Sequence, residues 1–360
     1  DEKYYLSASI RRDGSSKFMN NKWGTFGSVG ASWVISREGF MSAASSWLDF
    51  LKVRGSYGVL GNSNGIGSYT NHTWSYSATS YQQATNGTGI PAGYKLSSGA
   101  LVNDQLTWEK NREFDLGLDF GVLGRRINGS IDFYNHVTPN AFYSANYSAL
   151  AGSGSETLQQ NAAVLRNRGL ELELSFDIIR TDDMTLNFTT NGTHYRTTLI
   201  EVPEENIPDN TNLDLPQGTW QAGVGSFSAS GAGGASIGYL RGEGRDWYNI
   251  YLYKYAGVDK ESGLPMYWHR VTNADLGLND DGTARSAGYD HNGRYKDLKA
   301  GENVKTLVSS DASLYEMGSA TPDWIGGFNI NFRYKDFDIS TQFAYQLGGK
   351  FFSTEYGNGL

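Results

Sequence analysis

The sequence predicts an all-β chain: antiparallel strands that make up a segment of a large transmembrane β-barrel with long extracellular loops. Three observations predict it. Apolar and polar residues alternate with period two, the alternating segments are long enough to cross a bilayer, and short connections alternate with long ones.

The alternation is clearest in mid-chain. From Glu113 to Gly121, Phe114, Leu116, Leu118 and Phe120 fall on one face, and Glu113, Asp115, Gly117 and Asp119 on the other. Arg126 to Asn135 sets Ile127, Gly129, Ile131 and Phe133 against Asn128, Ser130, Asp132 and Tyr134. Gly169 to Asp177 sets Leu170, Leu172, Leu174 and Phe176 against Glu171, Glu173, Ser175 and Asp177, and Phe328–Lys335 and Phe337–Tyr345 repeat the pattern. Successive side chains of a strand point to opposite faces, so each segment is a strand with one apolar and one polar side. Such segments run about nine or ten residues, as a tilted bilayer-crossing strand does, whereas soluble strands centre on about five or six.

In chain order, strands are expected at Lys3–Arg11, Trp23–Ile35, Phe50–Val59, Trp108–Gly121, Arg126–His136, Leu165–Asp177, Met184–Tyr195, Trp247–Val258, Pro265–His269, Trp324–Lys335 and Phe337–Leu347. Val122–Arg125, Ile179–Asp183 and Lys335–Asp336 are tight turns; His136–Leu165, Arg196–Arg245 and Arg270–Thr321 are long polar connections. A barrel with brief turns at one end and long loops at the other has this rhythm. Roughly eleven strands is an odd number, where single-chain bacterial barrels have even ones. With the chain stopping in a loop at Asn358–Leu360, further strands are expected outside it.

Composition agrees. The 360 residues include 45 Gly, 23 Tyr, 17 Phe and 9 Trp, a mixture suited to many turns and to rings placed on a surface. Mean hydropathy is only −0.47, as a barrel with polar inner faces allows. No run of about 18 apolar residues offers a spanning helix. A net charge of −8 argues against a nucleic-acid partner, and the lack of cysteine removes disulfides and thiolate metal sites.

Carboxylates are plentiful, as at Glu109, Glu113, Asp115 and Asp119, and two that lie two apart on one strand face, such as Glu113 and Asp115, have a spacing that glycoside hydrolysis uses. Glu171, Glu173 and Asp177 repeat it on another strand, so a solvated polar face accounts for all of them and no catalytic residue is assigned. His72, His136, His194, His269 and His291 are scattered without a close pair, and no metal site is expected. Asn279–Gly282 (NDDG) lacks the remaining ligand positions of a calcium loop and is read as a polar turn. The glycine-rich Gly223–Gly238 has no phosphate-loop pattern and is read as an external loop; no cofactor is expected. Phe114, Phe120, Phe133, Phe176, Phe337, Phe343 and Tyr345 are expected to meet lipid. Trp74, Tyr76, Tyr81, Trp220 and Tyr239 lie in loops, where rings beside polar groups are platforms for sugar faces or for a partner, or pack within the loops themselves.

Seven segments carry a family resemblance: Arg12–Phe18 (RDGSSKF), Trp23–Trp33 (WGTFGSVGASW), Trp47–Asn62 (WLDFLKVRGSYGVLGN), Leu106–Phe120 (LTWEKNREFDLGLDF), Asn167–Leu174 (NRGLELEL), Tyr255–Tyr267 (YAGVDKESGLPMY) and Gly318–Phe328 (GSATPDWIGGF). In this order they resemble the SusC/RagA group of TonB-dependent outer-membrane transporters. The resemblance implies that residues 1–360 are part of a 22-stranded barrel domain, with an N-terminal plug and the last strands lying outside this sequence. It implies import of a bulky nutrient, an oligosaccharide or an oligopeptide. A SusD-like surface lipoprotein would act as lid, and the TonB complex would act on the plug. Two other classes stay open: a structural or adhesive outer-membrane barrel, and a soluble all-β carbohydrate-active enzyme.

Overall fold

The computed structural model describes residues 2–66, 76–79, 93–96, 103–146, 157–202, 239–240, 242–279 and 281–351. Its strands are β1 Tyr4–Gly14, β2 Trp23–Val34, β3 Leu48–Asn62, β4 Tyr76–Thr79, β5 Gly93–Leu96, β6 Glu109–Val122, β7 Ile127–Asn146, β8 Thr157–Arg180, β9 Met184–Glu201, β10 Asn249–Tyr253, β11 Tyr255–Val258, β12 Pro265–Arg270, β13 Asn303–Thr306, β14 Leu314–Ser319, β15 Trp324–Tyr334 and β16 Phe337–Leu347. The chain divides into two compact units, Asp1–Asn206 with Pro322–Gly348, and Ile207–Thr321 with Gly349–Leu360.

The first unit is a nine-stranded antiparallel sheet in the order β1-β2-β3-β6-β7-β8-β9-β15-β16. Its register keeps the two chemical faces unmixed. One row across β3, β6, β7 and β8 reads Val53, Leu118, Ile131, Leu172; the adjacent row on the opposite face reads Arg54, Gly117, Asp132, Glu171. A slip of one residue would invert every side chain of a strand, so the two patterns fix the pairing. The seven aromatic residues expected to meet lipid all lie on the apolar face, which is the uncovered one: Phe337 is 74% exposed and Phe114 43%. A sheet in water buries its apolar side; a barrel wall in a bilayer presents it to lipid. The turns agree with this reading. β6 and β7 are joined through Leu123, Gly124 and Arg125, all left-handed (φ 57°, 68° and 58°), and β15 and β16 through Lys335 (φ 50°).

At the opposite end of the sheet sits a small aromatic core. Phe18, Phe26, Ile66, Leu106 and Trp108 are buried together, the Trp108 ring lying 5.3 Å from Phe18 and 5.5 Å from Phe26. The Trp108 indole N–H donates to the Lys22 carbonyl at 3.0 Å. Three of the segments that carry the family resemblance, those of Phe18, Phe26 and Trp108, thus anchor the loop end of the first strands.

Two departures from the sequence reading have physical causes. The polar stretch His136–Leu165 is largely strand, because β7 and β8 stay paired up to Asn146 and Thr157. Pro139 has no amide to donate, and the ladder shifts between Thr138 and Ala141. Side-chain amides bridge the fault: Asn140 accepts from the Lys110 amide at 3.0 Å, and Asn161 donates to the Thr107 carbonyl at 2.9 Å. Polar residues that read as loop are here lateral hydrogen bonders. The single strand expected at Trp247–Val258 is two, β10 and β11, interrupted at Lys254.

The second unit holds β10 paired with β14 and the three-stranded β11-β12-β13. Arg270–Thr321, expected as a plain connection, contributes β13, β14 and 3-10 turns at Ala274–Leu276, His291–Gly293 and Ser309–Asp311. Leu240, Ile250, Tyr251, Val271 and Tyr295 are buried within the unit. In the DKESG turn, the Asp259 carboxylate accepts from the Ser262 amide (2.9 Å) and hydroxyl (2.6 Å). The Ser262 hydroxyl is the main reason that the Asp259 carboxyl lies below its ordinary range.

Candidate functional site

The polar face of the first unit is the principal concentration of chemistry. Arg54 of β3 reaches over Gly117 of β6, its Nε donating to Asp119 Oδ1 (3.2 Å) and its Nη2 to Asp132 Oδ2 of β7 (2.7 Å). The crossing needs a glycine beneath it, because a Cβ at residue 117 would lie 2.6 Å from the guanidinium carbon. Lys52 Nζ stands 3.4 Å from Asp119 Oδ2. Asp115 meets the Ser56 hydroxyl at 3.3 Å and His136 Nε2 at 3.1 Å, and Asn187 donates to Asp177 at 2.9 Å. Most of the carboxylates are therefore knitted into neighbouring side chains.

Glu171 and Glu173 of β8 differ: among the described residues neither has a cation within ion-pair distance. They line, with Arg54, Asp132, Asn191 and Thr193, an open concavity of about 560 Å³. Guanidinium, carboxylate, amide and hydroxyl groups together can hydrogen-bond a polar molecule without a metal or cofactor. No group of three or more His, Cys, Asp or Glu able to hold a metal ion occurs among the described residues.

Of the five loop aromatics, Trp74, Tyr81 and Trp220 lie outside the described residues. Tyr76 opens β4, paired with Leu96 of β5. Tyr239 is 9% exposed, bridged to Ile250, with its ring edge-on to Tyr248 at 5.9 Å. In the calcium-like turn, Asp281 accepts from the Thr283 amide (2.9 Å) and hydroxyl (2.6 Å), and the hydroxyl is the main cause of its lowered carboxyl pKa.

The sequence reading missed a buried network in the second unit. His269 and Asp275 are 2% and 0% exposed, with His269 Nε2 3.1 Å from Asp275 Oδ2 and Nδ1 2.6 Å from the Asp311 carbonyl. Tyr295 stacks on His269 at 4.1 Å and donates to Asp311 Oδ2 at 2.9 Å. His291 Nδ1 lies 3.0 Å from Asp311 Oδ1, and Arg294 also pairs with Asp311. Burial lowers the His269 pKa, against the pull of Asp275. The two histidines are far apart in sequence, so no spacing announced the cluster.

Comparison with known proteins places this geometry. The family described as TonB dependent receptor-like, beta-barrel matches residues 1–290. TonB-dependent receptor P39 of Formosa agariphila is 27% identical over 368 aligned positions, covering 96% of this chain and 31% of the relative. TonB-dependent receptor SusC of Bacteroides thetaiotaomicron is 33% identical over 193 positions, covering 53% and 19%. Among solved structures, that of the RagAB peptide transporter has a TM-score of 0.64 at 25% identity, covering 96% of this chain and 32% of the other. The chain thus spans about a third of the length of receptor P39 and of the RagAB chain, and the match to SusC covers less. With its alternating strands, its exposed apolar face and a family match over most of its length, the chain belongs to the TonB-dependent receptor β-barrels of the SusC/RagA type, proteins of the Gram-negative outer membrane.

Proposed function

We propose that this chain is wall and loops of a 22-stranded importer, whose plug and remaining strands lie outside this sequence, and that the whole protein carries an oligosaccharide across the outer membrane. The observation that carries the reading is the polar concavity on the inner face, where Arg54, Asp132, Glu171, Glu173, Asn191 and Thr193 offer donors and acceptors to a hydroxyl-rich cargo. A SusD-like surface lipoprotein captures the cargo as a lid, with Trp74, Tyr76, Tyr81 and Trp220 as loop contacts for cargo or partner, while Tyr239 packs within its own unit. Force from TonB on the plug then opens the path. The chain performs no catalysis in this scheme, since the carboxylates serve as hydrogen-bond acceptors along the wall.

An oligopeptide cargo is the second reading. It is favoured by the likeness to a structure described as a peptide transporter, and by fixed charges of both signs in the concavity, which suit peptide termini and side chains. The test is purification of the full-length protein with its bound partners from detergent-solubilised outer membrane. Calorimetric titration then compares neutral oligosaccharides with mixed oligopeptides. A co-purifying lipoprotein and saccharide binding weakened by Glu171→Gln support the proposal. Binding of peptides alone transfers it to the second reading. Absence of both partner and cargo overturns import, and glycan hydrolysis lost on Asp115→Asn or Glu173→Gln would make the protein an enzyme.

A further inference from the structure

A basic cluster lies on the apolar side of the sheet, the side that faces lipid. Even-numbered residues of β8 from Phe176 to Leu170 form the apolar band, and the next two on that face are Arg168 and Arg166. The register continues the change sideways. Arg168 pairs with Arg196 of β9, Leu170 with His194, and Arg166 with Val137 of β7, whose other neighbour is Arg112 of β6. The cluster is at the end of the strands that carries the long connections, the extracellular end of such a barrel.

The cations there exceed the acids. Arg196 is committed to Asp323 and to the Pro322 carbonyl at 3.0 Å, and His194 Nδ1 lies 2.6 Å from the Asp323 carbonyl. Arg112, Arg166 and Arg168 are exposed and, among the described residues, have no carboxylate within ion-pair distance; Arg168 lies over the Phe133 ring at 5.1 Å. Phe133, Arg166, Arg168, His194, Arg196 and Thr198 line an open concavity of about 400 Å³. Its floor is apolar and continuous with the lipid-facing band, and its rim is cationic. Sugar or peptide cargo has no reason to visit this outer face. An amphiphile with acyl chains along the band and an anion at the rim matches it, and guanidinium groups pair phosphate oxygens through two parallel hydrogen bonds.

We propose that this concavity binds a phosphate-bearing lipid of the outer leaflet, with Arg166 and Arg168 holding the phosphate and Phe133 and Leu170 packing against the acyl chains. The site acts from outside the wall and is independent of the cargo path.

The test is native mass spectrometry of the full-length protein in detergent, titrated with diphosphorylated lipid A, with the same lipid stripped of phosphate, and with inorganic phosphate. The phosphorylated lipid is expected to bind at least about tenfold more tightly than the stripped lipid. Arg166→Gln/Arg168→Gln should remove that difference, and Arg125→Gln in a tight turn at the other end should keep it. Equal retention of both lipids by the unsubstituted protein overturns the proposal, whether or not the variant folds. So does unchanged retention by a folded double variant. Capture of inorganic phosphate as tightly as the lipid reduces the site to an ion site and also overturns it. Cargo binding, measured beside these titrations, is expected not to change, which separates this proposal from the import reading.

Discussion

The buried network of the second unit allows a quantitative prediction through Asp275→Ala. Asp275 Oδ2 accepts from the Thr272 amide and hydroxyl, each at 2.8 Å, and faces His269 Nε2 at 3.1 Å. Each bond to a charged acceptor contributes about 1.5–3 kcal/mol, and truncation leaves buried donors without partners. The loss is offset by relief of a buried carboxylate whose other oxygen, Oδ1, has no hydrogen-bond partner and stands 3.8 Å from His291 Nε2. Removing one member of a buried polar pair costs about 3–5 kcal/mol. At the lower figure, local opening becomes about a hundredfold more frequent. Hydrogen exchange on the full-length protein in detergent should show amides of β12, Thr272–Leu276 and Tyr295–Asp311 exchanging about a hundredfold faster, with the strands of the first unit unchanged. Asp275→Asn keeps one acceptor oxygen and should lose less. Acceleration below about threefold in the alanine variant would refute the claim that this carboxylate holds the unit together.

Three further predictions concern other links. Burial lowers the His269 pKa, so the unfolded segment binds more protons than the folded one. Stability of the second unit is therefore present above the ordinary value of 6.5 and falls as pH drops below it; His269→Gln should flatten that slope in exchange measurements. The opposite slope would mean that the ring keeps both protons, donating to the Asp311 carbonyl and to Asp275, and that burial loses to them. Ile131→Lys, 38% exposed in the middle of the apolar band, should cost about 2–4 kcal/mol in reversible folding from vesicles, while Ser130→Lys on the polar face costs little. Equal costs would remove the assignment of faces. Gly61→Ala would drive its Cβ into the Phe26 ring inside the aromatic core and should cost about 1–3 kcal/mol, read as a lower temperature for the heat-induced shift in gel migration; an unchanged temperature would refute this packing.

What the sequence disclosed and what it hid follow from how far each interaction reaches along the chain. Strand identity was legible because the two faces of a barrel wall meet different solvents, and Phe114–Phe120 or Leu170–Phe176 record that difference every second residue. Pairing within the turns was legible because neighbouring strands are joined by a few residues. The extensions of β7 and β8 were not, since Asn140 and Asn161 have the composition of a loop and act as lateral hydrogen bonders only when Thr107 and Lys110 lie opposite. The second unit was hidden for the same reason in stronger form. His269 lies in a short strand, and Asp275, His291, Tyr295 and Asp311 are ordinary loop residues until a fold without period brings them together. The lipid-facing arginines are intermediate. Their parity with Leu170 and Leu172 is visible in the sequence and places Arg166 and Arg168 on the outer face, but only the register sets Arg112, His194 and Arg196 beside them. Periodicity therefore assigns a residue to one side of a membrane wall, and pairing assigns its neighbours. A binding surface on such a wall needs both, which is why the inner concavity around Glu171 and the outer one around Arg168 emerge only when the strands stand in register.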